Sequence, residues 1–221
     1  GAGLAVPPRL GPAGTRLRTV LWSLSVLASA GALGVLGSDV LDWREEDVGL
    51  LAFGGASVIA AALWWVARTG LLQAALLVTL GGVTSSVAFR VTDDESVAGL
   101  AVWLLGAGWL GLGAAGVLHP RRTAQVLGAV AALFGVQVTM DTTWGLALAL
   151  ATVAALIALA MLLGDLVLLA VGAVGALRVV PQVVGEWFPG ELAAPLVLLV
   201  VGVLLVAAAV RVARRREKRP G

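Results

Sequence analysis

Residues 144–184 read WGLALALATVAALIALAMLLGDLVLLAVGAVGALRVVPQVV. As a single helix this run would extend about 60 Å, twice the ~30 Å hydrocarbon core of a bilayer. Gly164-Asp165 lies near its middle. On length alone the run divides into two spans, 143–163 and 166–184, joined by a turn that places Asp165 in water.

The rest of the chain fits the same solvent. Of its 221 residues 60% are hydrophobic and 13% charged, and the mean hydropathy is +1.01. A soluble domain carries roughly a quarter charged residues and cannot bury this much apolar surface in one core. In lipid the backbone must satisfy itself, as helices or as a closed barrel. Barrel strands alternate polar and apolar residues, whereas these runs are continuously apolar over about twenty residues. The expected fold is an all-α transmembrane bundle of about eight helices. The other spans fall at 18–37, 48–67, 70–89, 96–118, 122–139 and 192–212. A polar, proline-containing arm covers 1–17, and a basic tail covers 213–221. Arg16, Arg18 and Ala28-Ser29-Ala30 also fit a signal peptide, but the apolar run continues to Leu36, so the segment is read as a span. The chain begins at Gly1, as expected of a processed product or a piece of a longer chain.

Charge then orients the bundle. Of fifteen basic residues, all but Arg44, Arg90 and Arg178 fall on one side. They are Arg9, Arg16 and Arg18, then Arg68, then Arg121 and Arg122, then the tail from Arg211. Of thirteen acidic residues, all but Asp165 and Glu217 fall on the other side. Both termini are expected in the cytoplasm, which requires an even number of spans, and the division at Gly164-Asp165 supplies it. Every basic residue but Lys218 is arginine, in a background of Ala, Gly, Val and Leu. That bias suggests a GC-rich bacterial genome, hence the bacterial cytoplasmic membrane.

The pI of 10.4 does not imply nucleic-acid binding, because net charge is only +2 and the basic residues sit at helix ends. The tail from Arg211 to Arg219 suits anionic lipid headgroups, at roughly 1 kcal/mol per charge. No cysteine is present, which excludes disulfides, thiolate metal sites and cysteine nucleophiles. His119 has no neighbouring ligand residues, and no nucleotide, zinc-protease or hydrolase motif occurs outside membrane-helix context. No cofactor or enzymatic activity is expected. The acidic loop 39–47 lacks EF-hand spacing and reads as a solvated face.

Small residues at helical spacing mark packing faces. Ala107, Gly111 and Ala115 form one stripe, for intramolecular packing or for a partner or second copy. Trp43, Trp144 and Trp187 read as an outer aromatic belt, with Trp64 and Trp65 as an inner one. Trp103 and Trp109 lie deeper, on different faces.

Arg178 is the most suggestive polar residue. It falls about six residues, or nine ångströms, before the expected end of its span. Arginine at mid-bilayer costs about 2.5–3.5 kcal/mol, less where the side chain snorkels. Pro181 frees the carbonyl of Leu177, and Gln182 lies one turn beyond Arg178. One reading is a snorkelling arginine paired with Asp141 or Glu186. The other is an outward-facing anion or solute site of Arg178, Gln182, Arg90, Asp141 and Glu186, with Gln137 and Thr139 nearby. Asp141-Thr142-Thr143 also reads as an N-cap. Thr84, Ser85 and Ser86 either line a polar path or bond to their own helix.

Leu41-Asp42-Trp43 before an acidic helix start, and Pro181-Gln182 leading to Gly185-Glu186-Trp187-Phe188-Pro189, a last apolar helix and an arginine tail, carry a resemblance. They resemble an uncharacterised family of bacterial polytopic membrane proteins. The resemblance covers spans 1–2 and 7–8 and implies no activity or site residue. The expected function is therefore a non-enzymatic membrane component that packs with a partner or itself. The alternative is a small-solute or ion transporter using the Arg178 site.

Overall fold

The structure is a computed structural model that describes residues 45–92 and 94–187, with isolated residues 28, 29, 32, 199–204, 206, 207, 209, 210 and 214. Six helices are resolved among them. They are α1 (Glu45–Val66), α2 (Gly70–Val91), α3 (Glu95–Ala114), α4 (Arg121–Val138), α5 (Thr143–Leu163) and α6 (Leu166–Trp187). These are the second to seventh expected spans. Most of the first and last spans, the polar arm and most of the basic tail lie outside the described residues. All of these helices but α4 are long and apolar enough to cross a membrane. At 18 residues, or about 27 Å, α4 is the shortest, and Arg121, Arg122, Gln125 and Gln137 make it the least apolar.

The chain divides into two compact units, 1–87 and 88–221. In the first, α1 and α2 form a hairpin through a tight turn at Ala67-Arg68-Thr69, where Ala67 N–H bonds Leu63 O at 2.9 Å. The Phe53 ring fills the space beside Gly82. Ala52, Ala56 and Ala60 are buried along one stripe of α1. Arg68 reaches back over the Trp64 and Trp65 rings, 5.9 and 5.7 Å from their centroids.

In the second unit, α3 and α4 pack backbone to backbone. A Cβ on Gly106 would strike the backbone at Ala131-Ala132, and one on Gly128 would strike Leu110 N. Gly135 meets the Trp103 backbone in the same way, Gly99 meets Gly135 O, and Gly113 meets Ala124. The packed stripe of α3 is thus Gly99, Gly106 and Gly113. It is not Ala107, Gly111 and Ala115: Gly111 and Ala115 are exposed, and a Cβ on Gly111 would meet nothing within 4 Å. Both stripes have helical spacing, but they lie on different faces. Trp103 joins α3 to α5 through Nε1–H donated to Thr152 Oγ1 at 3.0 Å.

Helix α3 stops at Ala114, four residues short of the expected end. Gly116 takes φ +78°, and Val117 N–H returns to Leu112 O while Gly116 N–H returns to Gly113 O. This pair of bonds satisfies the last carbonyls and reverses the chain. Arg121, at the start of α4, donates from Nη2 to Ala114 O at 2.8 Å and covers the same helix end.

The division of the 144–184 run is observed where length placed it. Gly164 takes φ 67° and Asp165 N–H bonds Ala160 O at 3.1 Å, closing α5. Asp165 then caps α6, its Oδ1 accepting from Val167 N–H at 2.8 Å. At the other end of α5, Thr142 is the cap, accepting from Gly145 N–H at 3.1 Å, while Asp141 is exposed. Gly145 is required there because Thr139 O approaches its Cα closely. Two apolar clusters fill the bundle. Val136, Val153, Ala176 and Val179 belong to one, and Ala129, Leu156, Ala160 and Leu168 to the other. In the last span Val201 packs on the first cluster and Ala209 on the second.

Candidate functional site

Helix α6 does not stop at Val184. It runs through Pro181 to Trp187, so Arg178 lies about 13 Å from its end and about 18 Å from its start. The arginine therefore lies nine residues from the helix end, three more than expected. Proline costs the helix one bond, the one to Leu177 O, and membrane helices tolerate this where neighbours re-satisfy the freed group.

Arg178 lies at one end of an elongated groove between α4 and α6, of about 400 Å³. Leu133 lines the groove opposite Gly175, where a Cβ would stand 2.9 Å from Leu133 Cδ2. Its rims are the exposed Val130 and Phe134 on α4 and Val167 and Val174 on α6. Apart from Arg178, the polar lining side chain is Gln137, in the last turn of α4. Its Nε2 has only a 3.7 Å contact with Met140 Sδ, a weak acceptor.

Of the expected site residues, the groove unites Arg178 with Gln137. Gln182 is exposed one turn beyond, and Glu186 is exposed two turns beyond. Neither lines the groove, nor do Arg90 and Asp141. Arg178 forms no pair with Asp141 or Glu186, and among the described residues its guanidinium has no carboxylate partner. The Thr84 and Ser86 hydroxyls donate to Leu80 O and Gly82 O of their own helix, at 2.7 and 2.9 Å. Thr139 is fully buried and donates to Val136 O at 2.8 Å.

Asp165 forms the ion pair that sequence reasoning missed. Arg122 Nε donates to Oδ2 at 2.9 Å and Nη2 to Oδ1 at 3.0 Å. Burial opposes ionisation of this carboxyl, but the Arg122 bond, the Val167 and Leu168 amides and the Arg122 charge outweigh it and hold the pKa below the ordinary value. The usable signal was positional: both residues belong to turns assigned to the same side of the membrane.

Five bilayer-length apolar helices make this chain a helical membrane protein. No protein-family model, curated protein or solved structure matches it.

Proposed function

We propose that the chain is a non-enzymatic component of a bacterial cytoplasmic membrane. It would have eight spans and cytoplasmic termini, and would pack against a partner protein or a second copy of itself. The open side of α3 is the observation that carries this reading. Gly99, Gly106 and Gly113 are filled by α4, whereas a Cβ on Gly108 or Gly111 would meet nothing within 4 Å. Glycine costs a helix up to about 1 kcal/mol relative to alanine, so open glycines there favour close approach by another helix. The Ala107-Gly111-Ala115 stripe runs along that side.

Two observations support the topology. Arg122 and Asp165 join two turns that the charge pattern assigns to the cytoplasm. Val201 packs on the apolar cluster that includes Val183 near the end of α6, and Ala209 on the cluster that includes Leu168 near its start, which supports a last span that returns across the membrane. The basic tail would then meet anionic headgroups on the cytoplasmic face.

Native mass spectrometry after gentle extraction from the host membrane tests the reading. A stoichiometric partner or defined oligomer, lost in Gly111→Leu, is expected. A monomer in both proteins refutes it. A reporter fused after Gly164 should read cytoplasm, and a periplasmic signal would break the eight-span arrangement.

A second reading, a small-solute or ion transporter, is favoured by the depth of Arg178 and its lack of a described carboxylate partner. It requires a solute bound by the protein and released by Arg178→Ala.

A further inference from the structure

We propose that the buried side of the turn between α1 and α2 is a hydration site, where about one or two water molecules bridge Trp64, Thr69 and Gln73. Gln73 has no exposed surface, and neither its Oε1 nor its Nε2 has a hydrogen-bond partner among the described residues. Trp64 Nε1 and Thr69 Oγ1 are buried and likewise unpartnered among them. Buried polar side chains are otherwise nearly always bonded, to protein or to ordered water, because desolvation without a bond is costly.

Helix register brings the three residues together. Across the hairpin Phe53 meets Gly82 and Gly49 meets Ser86, so four residues along α1 correspond to four back along α2. Continued eleven residues from Phe53, this register sets Trp64 level with Leu71, midway between Thr69 and Gln73 and about 3 Å along the axis from each. Trp64 extends the buried stripe of Ala52, Ala56 and Ala60 by one more four-residue step. Gln73 lies one turn after Thr69 on the same face, and its Cα–Cβ bond leans back toward the start of α2. All four polar atoms thus fall within one turn of the same level in the hairpin.

Chemistry selects the occupant. A cation would need a carboxylate, and residues 48–92 contain none. An anion would meet the Gln73 Oε1 acceptor, and the positive start of α2 is offset there by the negative end of α1. The site instead mixes the two kinds of group. The indole N–H and the amide N–H₂ donate, Gln73 Oε1 accepts, and Thr69 Oγ1 does either. A neutral molecule that both donates and accepts matches this set, and burial of every polar atom favours the smallest such molecule, water.

Solid-state NMR of the full chain in bilayers tests the site by transferring magnetisation from water to side-chain N–H groups, assigned with Trp64→Phe and Gln73→Leu. Trp103 Nε1–H, which is donated to Thr152, is the protein-bonded reference. Transfer to Trp64 Nε1–H and Gln73 Nε2–H₂ is expected to build up faster than transfer to Trp103, and the fast transfer to Trp64 is expected to be lost in Gln73→Leu. Build-up no faster than at Trp103 overturns the proposal, whether the groups stay unpaired or bond each other directly. So does fast transfer to Trp64 that survives Gln73→Leu, because water would then reach the indole without the shared site. A Trp64 N–H resonance that moves when chloride is replaced by bromide assigns the site to an anion and also overturns it. If Gln73→Leu fails to fold, Gln73→Met, unbranched like glutamine, takes its place, and the comparison of Trp64 with Trp103 in the parent chain needs neither.

Discussion

Arg122 and Asp165 are 43 residues apart in sequence and share two hydrogen bonds, at 2.9 and 3.0 Å. One carboxylate thereby ties the start of α4 to the turn between α5 and α6 while also capping α6. The arginine is more than half exposed, so the ion pair itself is worth at most about 1 kcal/mol. The cap is worth about the same again. Asp165→Asn should keep most of the cap and lose the pair, and Asp165→Ala should lose both. Denaturant titration in mixed micelles should rank Asp165→Ala below Asp165→Asn, and equal stabilities would count against the dual role.

The same carboxyl sets an acid limit. Its folded pKa lies below the ordinary 3.8, so the unfolded chain takes up the proton first as pH falls. Its contribution is therefore complete above 3.8 and is lost as pH drops below that value through the lowered pKa. The difference in stability between the parent and Asp165→Asn should be constant at neutral pH and shrink below pH 3.8. A difference that grows on acidification would contradict the sign.

Gly106 and Gly111 are five residues apart on α3 and should respond in opposite ways to alanine. At Gly106 the new methyl meets the α4 backbone, and overpacking of this kind costs about 1–3 kcal/mol. At Gly111 it meets nothing, and alanine gains up to about 1 kcal/mol of helix propensity. Thermal unfolding of the monomeric detergent-solubilised chain separates them, and the reverse ranking would mean that the other stripe is the packed one.

Trp103 and Thr152 give a pairwise test across the bundle. Trp103→Phe removes the Nε1 donor and should cost about 1 kcal/mol. In a double-mutant cycle with Thr152→Val the two losses should overlap rather than add. Full additivity would show that α3 and α5 are not joined there.

The sequence made the helical class legible because lipid leaves the backbone few options. The Gly164-Asp165 division followed from length, and the structure adds its chemistry, a left-handed glycine followed by a capping aspartate. Which glycines of α3 are buried was not legible, since Gly99, Gly106 and Gly113 repeat at one helical spacing and Ala107, Gly111 and Ala115 at another. Only a neighbouring helix chooses between them. The end of α3 was overextended because Val117 and Leu118 are apolar, although Gly116 already marked the stop. The end of the span holding Arg178 was placed three residues early, at Val184, because Glu186 and Pro189 mark a polar connection, whereas α6 continues to Trp187. The neighbouring Gln137 was legible as polar, but its pairing with Arg178 across one groove depends on how α4 and α6 pack.

Gly99, Gly106 and Gly113 recur every seven residues, as do Gly128 and Gly135 on the facing helix. Sliding one helix along the other by a single turn, about 5.4 Å, would set each glycine against a bulkier neighbour. The next register in which glycines again face the partner backbone is seven residues away, about 10.5 Å. The α3–α4 pair is therefore latched in one register and behaves as a single rod. Motion within the described part of this unit therefore falls to α5 and α6, whose contact lacks a repeated glycine latch and whose second helix gives up a backbone bond at Pro181.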